Sequence, residues 1–179
     1  MNKDELILEN ILATVKKELE FAERKNTYIF SLTSLMVVFA PIIDKLLNIN
    51  CLLKISILVY YILYFFIFIF TLSAFFPRDK MLKDIIEHGR DKKLKDSDNL
   101  LFFGDISKYS VVEYNRMFSR KYGISNVKSK YKDDLIAQII VNSYITRRKF
   151  RCFKVSAFFV FFALLQFMCC LMYMLLFSK

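Results

Sequence analysis

The chain has no tryptophan, three glycines, two prolines and a single histidine among its 179 residues. Glycine and proline make most tight turns, so their scarcity disfavours a strand-and-turn architecture and predicts a mostly helical chain. His88 has no catalytic or metal-binding partner near it in the sequence, and the chain shows neither a glycine-rich phosphate loop nor a placed Ser/His/Asp set. We therefore do not expect an enzyme.

Cysteine is also scarce, and its spacing fits no metal site. Adjacent cysteines match no zinc-binding pattern, and in apolar stretches cysteine behaves as a small hydrophobic residue. We expect neither a metal nor a resident cofactor. The cysteines are Cys51, Cys152, Cys169 and Cys170.

Hydrophobic residues are abundant, at 56% of the chain, and they lie in long blocks. Ile55–Phe76 and Val155–Ser178 carry no charge, and a membrane span needs about 20 apolar residues. Asn26–Ile43 is a shorter uncharged stretch, which Lys45 can extend because its side chain reaches the membrane surface. The sequence therefore predicts three transmembrane helices, over 26–48, 53–76 and 153–178.

A basic insert, Pro77–Lys154, separates the second and third apolar blocks. It holds 19 Lys/Arg against 10 Asp/Glu, so it carries +9 of the net charge of +10. Positively charged segments stay on the cytoplasmic side of a membrane. We expect the N-terminus and a module over 77–152 in the cytoplasm, and the C-terminus on the periplasmic or extracellular side.

The first 25 residues have the pattern of an amphipathic helix rather than of a signal peptide. Apolar residues recur there at alternating steps of four and three, which places them on one helix face. Two interpretations are compatible with this face: a packing or oligomerising helix over 1–25, or a helix that lies against the insert. The stripe consists of Leu8, Leu12, Val15, Leu19 and Ala22.

Local signals divide the insert into helices. Residues 81–86 predict a short amphipathic helix that ends near Gly89. Ser107 or Ser110 can cap the next helix, and a glutamate three residues after Ser110 would complete a capping box. Gly123 ends that helix.

The last part of the chain predicts one long helix. Neither glycine nor proline occurs between Asp133 and Lys179, so we expect a nearly continuous helix that is soluble to about Lys149 and enters the membrane near Phe153. The predicted fold class is an all-α membrane protein with three transmembrane helices. A small helical cytosolic module lies between spans two and three, and its last helix continues into span three.

Five parts of the chain carry a family pattern, in this order: Glu20–Asn26, Asn99–Ser107, Val111–Tyr114, Asp134–Gln138, and Asn142 with Arg148–Arg151. Together they resemble the transmembrane effectors of Pycsar anti-phage systems. The resemblance implies a bacterial inner-membrane protein whose genetic partner is a pyrimidine nucleotide cyclase. That cyclase makes cyclic UMP or cyclic CMP on infection, and the effector responds by damaging the membrane and stopping growth.

A cyclic mononucleotide needs cationic donors for its phosphate and a flat side chain for its base. Arg116 and Arg120 share a helix face as an i, i+4 pair, so they suit either a ligand or a solvated surface. The aromatic candidates can equally be core residues. The remaining candidates are Phe102, Phe103, Tyr109 and Tyr114 for stacking, Asn99 and Asn142 for the base edge, Arg147 and Arg148 as ligands or membrane-surface anchors, and Asp105 as a ligand or a turn residue.

We expect a ligand-gated membrane disruptor that contacts the lipid bilayer, associates with copies of itself and has no nucleic-acid partner. Two alternatives remain open. One is a membrane scaffold whose basic insert recruits an acidic partner or nucleic acid. The other is an unregulated small membrane toxin.

Overall fold

The structure, a computed structural model, describes residues 3–46, 51–76, 85–88, 94–123 and 129–177. Within these ranges the regular secondary structure is entirely α-helical, which confirms the all-α part of the predicted fold class. Residues 85–88 are helical and belong to the helix predicted over 81–86, whose other residues lie outside the described ranges. The remaining helices are α1 (Lys3–Leu46), α2 (Cys51–Ser73), α3 (Phe103–Ile106), α4 (Val111–Tyr122) and α5 (Lys130–Phe177).

The chain divides into two compact units. Unit 1 combines Met1–Glu23 with Pro77–Phe150, and unit 2 combines Arg24–Phe76 with Arg151–Lys179. Helices α1 and α5 each contribute residues to both units. The N-terminal segment and the basic insert, predicted as separate regions, thus form one unit.

A single helix, α1, replaces the two N-terminal helices that the sequence predicts over 1–25 and 26–48. The helix does not end at residue 25. No glycine interrupts α1, and the helix continues through Pro41. The membrane span over 26–48 stays a prediction. The side chains of residues 37–46 and the whole of residues 47–48 lie outside the described part of the chain.

The hydrophobic core of unit 1 explains why the N-terminal segment belongs there. Leu8, Leu12 and Val15 of α1 are buried in it, which confirms the predicted apolar stripe. Burying each such side chain contributes roughly 1.5–3 kcal/mol, so α1 is held by packing. The residues that share this core from the insert are Ile85, Leu100, Ile106, Tyr109, Tyr114, Phe118, Leu135, Ile136, Ile139, Ile140 and Tyr144.

Helix α4 has the two ends that its sequence predicts. The Ser110 hydroxyl accepts from the Glu113 amide, and the Glu113 carboxylate accepts from the Ser110 amide at 2.9 Å, which completes a capping box. Gly123 follows α4 with a φ of 64°, a left-handed conformation that favours glycine. Between these ends, Tyr114 and Phe118 point into the core.

Helix α5 confirms the predicted continuous helix. It begins at Lys130, three residues before the predicted start, and continues to Phe177. The acidic Asp133 lies in its first turn, where negative charge interacts favourably with the helix dipole.

The apolar stretch Asn99–Asp105 is only partly a core segment. Leu100 is fully buried, whereas Leu101 and Phe102 are 50% and 48% exposed. The reason is local geometry, because a turn at Asn99 followed by the short α3 directs Leu100 and Ile106 to the core and leaves Leu101 and Phe102 exposed.

Unit 2 packs segments of α1, α2 and α5. Its core consists of Tyr64, Ile67 and Ala163, with the partly buried Ile29 and Met36 of α1 against it. Phe30 of α1 also contacts the ring of Phe68 in α2 and the ring of Phe75, which follows α2.

Candidate functional site

An ion-paired network holds the segment from residue 95 to residue 109 in unit 1. The Lys108 ammonium lies 2.9 Å from Asp98 Oδ1 and 2.5 Å from Asp105 Oδ1. The other Asp98 oxygen accepts from the Tyr109 hydroxyl at 3.0 Å and from the Lys95 amide at 3.1 Å. The Asp98 side chain is only 6% exposed, so this network satisfies a buried charge.

The network shifts the pKa values of Asp98, Lys108 and Tyr109. Burial alone would raise the pKa of Asp98, but hydrogen bonds from Lys108, the Lys95 amide and Tyr109 outweigh it and lower that pKa. The hydrogen bond to Asp105, against the effect of burial, raises the pKa of Lys108, and Asp98 adds to it. Burial and then the hydrogen bond to Asp98 raise the pKa of Tyr109. The folded network therefore favours an ionised Asp98, a protonated Lys108 and a neutral Tyr109 phenol.

A second set of contacts joins α3 to α5. Arg147 Nη1 donates to the Gly104 carbonyl oxygen at 3.1 Å and to Ser107 Oγ at 3.0 Å. Ser107 is fully buried. Arg147 therefore positions the loop that contains Gly104 and Ser107, a role that could not be predicted from the sequence.

Four phenylalanine rings form a chain from α1 to the protein surface, which we call the phenylalanine chain. Phe21 lies 6.2 Å from Phe150, Phe150 stacks on Phe103 at 5.4 Å and 16°, and Phe103 lies 4.6 Å from Phe102. The ring of Phe102 covers Gly104, where an added Cβ would collide with it. Phe103 thus packs against the ring of Phe102 on one side, and about half of the Phe102 side chain is exposed and accessible to a planar ligand.

Two of the predicted stacking residues are core residues instead. Tyr109 and Tyr114 are both fully buried, and the Tyr114 hydroxyl donates to the Leu100 carbonyl oxygen at 2.8 Å. Neither ring has a face open to solvent, so in this structure neither can stack on a base. The same burial raises the pKa of Tyr114.

Two further predicted residues, Asn99 and Asp105, lie in the turn that carries Phe102. The backbone amide of Asn99 donates to Asp105 Oδ2 at 3.0 Å, and the side-chain Oδ1 of Asn99 accepts from the Leu101 backbone amide at 3.0 Å. Asn99 is exposed. Asp105 therefore acts as the turn residue that the sequence allowed, and Asn99 and Phe102 lie on the surface of that turn.

The other predicted residues lie elsewhere on unit 1. Arg116 and Arg120 are exposed on α4, and Arg120 forms an ion pair with the exposed Asp96. Asn142 and Arg148 are half-buried on α5. No metal site accompanies them: within the residues that the structure describes, no cluster of three or more His, Cys, Asp or Glu side chains occurs.

Several residues of this region escaped sequence reasoning. Asp98 and Lys108 sit in a charged stretch without periodicity, and Phe21 and Phe150 lie 129 positions apart. The one usable signal was the turn at Asn99–Asp105, where polar residues flank an apolar run.

In unit 2, polar and apolar surfaces are reversed relative to a soluble protein. The outward faces of α2 and α5 carry large apolar side chains, and polar side chains lie between the two helices. Such an arrangement suits a hydrocarbon environment. The exposed apolar residues include Ile55, Leu58, Ile62, Phe65, Ile69, Phe158, Phe161, Leu165, Met168 and Met172.

We call the contact between these helices the α2–α5 seam. Near the ends of α2 it is polar: Thr71 and Ser156 hydroxyls lie 3.0 Å apart, and Ser56 Oγ lies 2.8 Å from Cys170 Sγ. Gln166 Nε2 donates to the Ser56 carbonyl oxygen and hydroxyl. The middle is apolar, formed by Tyr64, Ile67 and Ala163.

Within the described residues, two helices are long and apolar enough to cross a membrane. The segments are Lys54–Ser73 and Lys130–Cys170, with windows of mean hydropathy 2.4 and 2.0. Only 17% and 11% of these windows are buried, whereas a core helix of a soluble protein is mostly buried.

A family model described as the Pycsar effector protein domain matches residues 7–178. The chain belongs to this family. No curated protein and no solved structure matches it. The match includes both units, so the resemblance seen in short segments extends over nearly the whole chain. As a Pycsar effector with two apolar, outward-facing helices, the protein belongs to an anti-phage defence system and is a membrane protein.

Proposed function

We propose that this Pycsar effector senses a cyclic pyrimidine nucleotide through unit 1 and disrupts the bacterial inner membrane through unit 2. The nucleotide is cyclic UMP or cyclic CMP from a partner cyclase, and the outcome is abortive infection. The observation that carries this proposal is the phenylalanine chain, which connects an exposed ring at the surface of unit 1 to α5. That helix continues from unit 1 into unit 2.

Phe102 and Asn99 supply the recognition of the base. The Phe102 ring offers a stacking surface, and stacking of a base on an aromatic ring contributes about 1–3 kcal/mol. The Asn99 carbonyl oxygen already accepts from Leu101, which leaves its amide protons to donate to a carbonyl oxygen on the pyrimidine edge.

The cationic insert supplies the attraction for the phosphate. Lys108 is engaged by two carboxylates and Arg147 by Gly104 and Ser107, so we assign the cyclic phosphate to exposed cations. Arg116 on α4 is the exposed arginine among the predicted residues that does not pair with Asp96.

Ligand binding acts on the membrane through α1 and α5. A ligand shifts an equilibrium only when it binds one state better than the other. Stacking on Phe102 stabilises one arrangement of the phenylalanine chain, and that chain ends on Phe21 and Phe150 of the two helices shared by both units. Protomers then associate, and the bilayer leaks.

Topology follows from charge. The first 25 residues hold five Lys/Arg and the basic insert holds 19, so we assign unit 1 to the cytoplasm and the C-terminus to the other side of the membrane. Protease added to sealed inverted membrane vesicles should cleave unit 1, and protease added to spheroplasts should not.

The decisive experiment uses the full-length protein in vesicles of phosphatidylethanolamine and phosphatidylglycerol. Cyclic UMP or cyclic CMP should release a trapped dye, and calorimetry should show binding of the same nucleotide, recovered unchanged. Purine cyclic nucleotides serve as the control. Absence of both binding and leakage with the pyrimidine nucleotides would reject the proposal, and leakage without any nucleotide would favour an unregulated toxin.

A further inference from the structure

We propose that the α2–α5 seam is the path by which water and small ions cross the membrane when the protein is active. In the present structure the plug formed by Tyr64, Ile67 and Ala163 closes this path. This inference rests on the proposed membrane disruption and assigns it to a specific place in unit 2. The argument begins with where the polar side chains lie.

Within unit 2, the hydroxyl and carboxamide side chains of serine, threonine and glutamine on α2 and α5 converge on the seam. Thr71 and Ser156 are fully buried against each other, and Ser73 Oγ lies 3.5 Å from Cys152 Sγ. Polar groups in hydrocarbon are costly and are kept where they pair or line a cavity. Here they line both ends of one helix contact.

Gln166 shows that pairing does not account for all of these groups. Its Nε2 donates to Ser56, but its Oε1 is buried and has no hydrogen-bond partner among the described residues. Buried polar atoms in native proteins are nearly always satisfied. An unsatisfied carbonyl oxygen destabilises the closed seam, and water or a cation that enters an open seam would satisfy it.

The middle of the seam has the opposite character. Ile67 and Ala163 are fully buried, and Tyr64 is 3% exposed, while Phe159 stacks between Phe66 and Phe70 at 5.7 and 5.8 Å. A short apolar constriction between polar ends blocks water by dewetting, which is a known form of gate. Separation of α2 from α5 at the plug would join the two polar ends.

The test places a hydroxyl in the plug. Ile67→Ser should let potassium leak from vesicles of phosphatidylethanolamine and phosphatidylglycerol without nucleotide. The leak should be on the order of tenfold faster than for the unmodified protein. Ile69→Ser is the matched control, because Ile69 lies two residues away on the same helix and is 45% exposed; it should leave the leak unchanged. An unchanged leak in Ile67→Ser, or an equal leak in Ile69→Ser, would overturn the proposal.

Gln166→Leu tests the seam from the opposite direction and covers the case in which Ile67→Ser does not fold. It removes the unsatisfied oxygen and should slow the nucleotide-triggered potassium leak roughly tenfold, with nucleotide affinity unchanged by calorimetry. An unaltered leak in this variant contradicts the assignment. Failure of the unmodified protein to leak with nucleotide rejects the proposed function instead, and the nucleotide-free comparison of Ile67→Ser with Ile69→Ser still decides the seam.

Discussion

The ring of Phe103 stacks on the ring of Phe150, with centroids 5.4 Å apart and planes inclined by 16°. Phe103 opens the short helix α3, and Phe150 is the last residue of α5 that belongs to unit 1. One ring contact therefore joins the surface turn to the helix that continues into unit 2, and the first predictions concern this chain of rings.

Phe102→Ala should weaken nucleotide binding without unfolding unit 1. Loss of a stacking ring costs about 1–3 kcal/mol, so the Kd should rise on the order of tenfold to a hundredfold. Leu101→Ala is the matched control, since Leu101 is adjacent and equally exposed. Calorimetry measures both, and equal affinities for the two variants would remove Phe102 from the binding site.

Phe102→Trp should retain binding and report on it. The chain contains no tryptophan, so the new side chain is the sole source of indole fluorescence. A pyrimidine stacked on it should quench its emission in proportion to occupancy. Leu101→Trp should respond weakly, and a comparable response from both positions would show that the ligand does not stack on residue 102.

Phe150→Ala should separate binding from leakage. The substitution removes ring contacts with Phe21 and Phe103, each worth about 0.5–1.5 kcal/mol, so the free energy of unfolding should fall by roughly that sum. Nucleotide affinity should change little, because Phe102 remains, while dye release per bound nucleotide should drop. Phe158→Ala, at a 59% exposed position, is the control. Full leakage from Phe150→Ala would show that the rings do not transmit the signal.

Asp98 should make unit 1 sensitive to acid. Its pKa is lowered in the folded protein because its hydrogen bonds outweigh the effect of burial. This contribution to stability is therefore fully present above the ordinary carboxyl pKa of about 3.9 and is lost as pH falls through the lower, folded value. Urea unfolding at a series of pH values should show a smaller acid loss for Asp98→Asn than for Asp96→Asn, whose side chain is 86% exposed in the parent. Identical pH profiles would contradict the assignment.

Arg147→Met should loosen the loop. The Gly104 carbonyl and the buried Ser107 hydroxyl would each lose a donor, at a cost of about 1–3 kcal/mol in the free energy of unfolding. Arg116→Met, at an exposed position on α4, should change that free energy by no more than about 0.5 kcal/mol. Thermal unfolding in detergent compares the pair, and similar midpoints would mean that Arg147 does not hold the loop.

Local features, which depend only on residues close together in the sequence, could be predicted. The capping box at Ser110, the left-handed Gly123 and the unbroken α5 each depend on residues within one or two turns. Features that need distant partners could not. The Lys149 ammonium pairs with Glu23 at 3.0 Å across 126 positions. The periodicity of the sequence does not predict such a contact.

The aromatic residues of the candidate site show the same limit. Phe102 and Tyr109 lie seven positions apart in the same segment of the insert, yet one ring is half exposed and the other is fully buried. Burial depends on which side of the turn faces α1 and α5, and those helices come from opposite ends of the chain. Residue type alone therefore predicted stacking for rings that belong to the core.

The core of unit 1 joins residues near the N-terminus to the first part of α5, and this has a consequence for synthesis on the ribosome. The Tyr131 hydroxyl donates to Glu9 across 122 positions, and Leu8 shares a core with Tyr144. The closure of such a long loop is slow and entropically costly. Unit 1 can form only after its part of α5, up to Phe150, has been translated, so a shorter nascent or truncated chain lacks part of the unit 1 core.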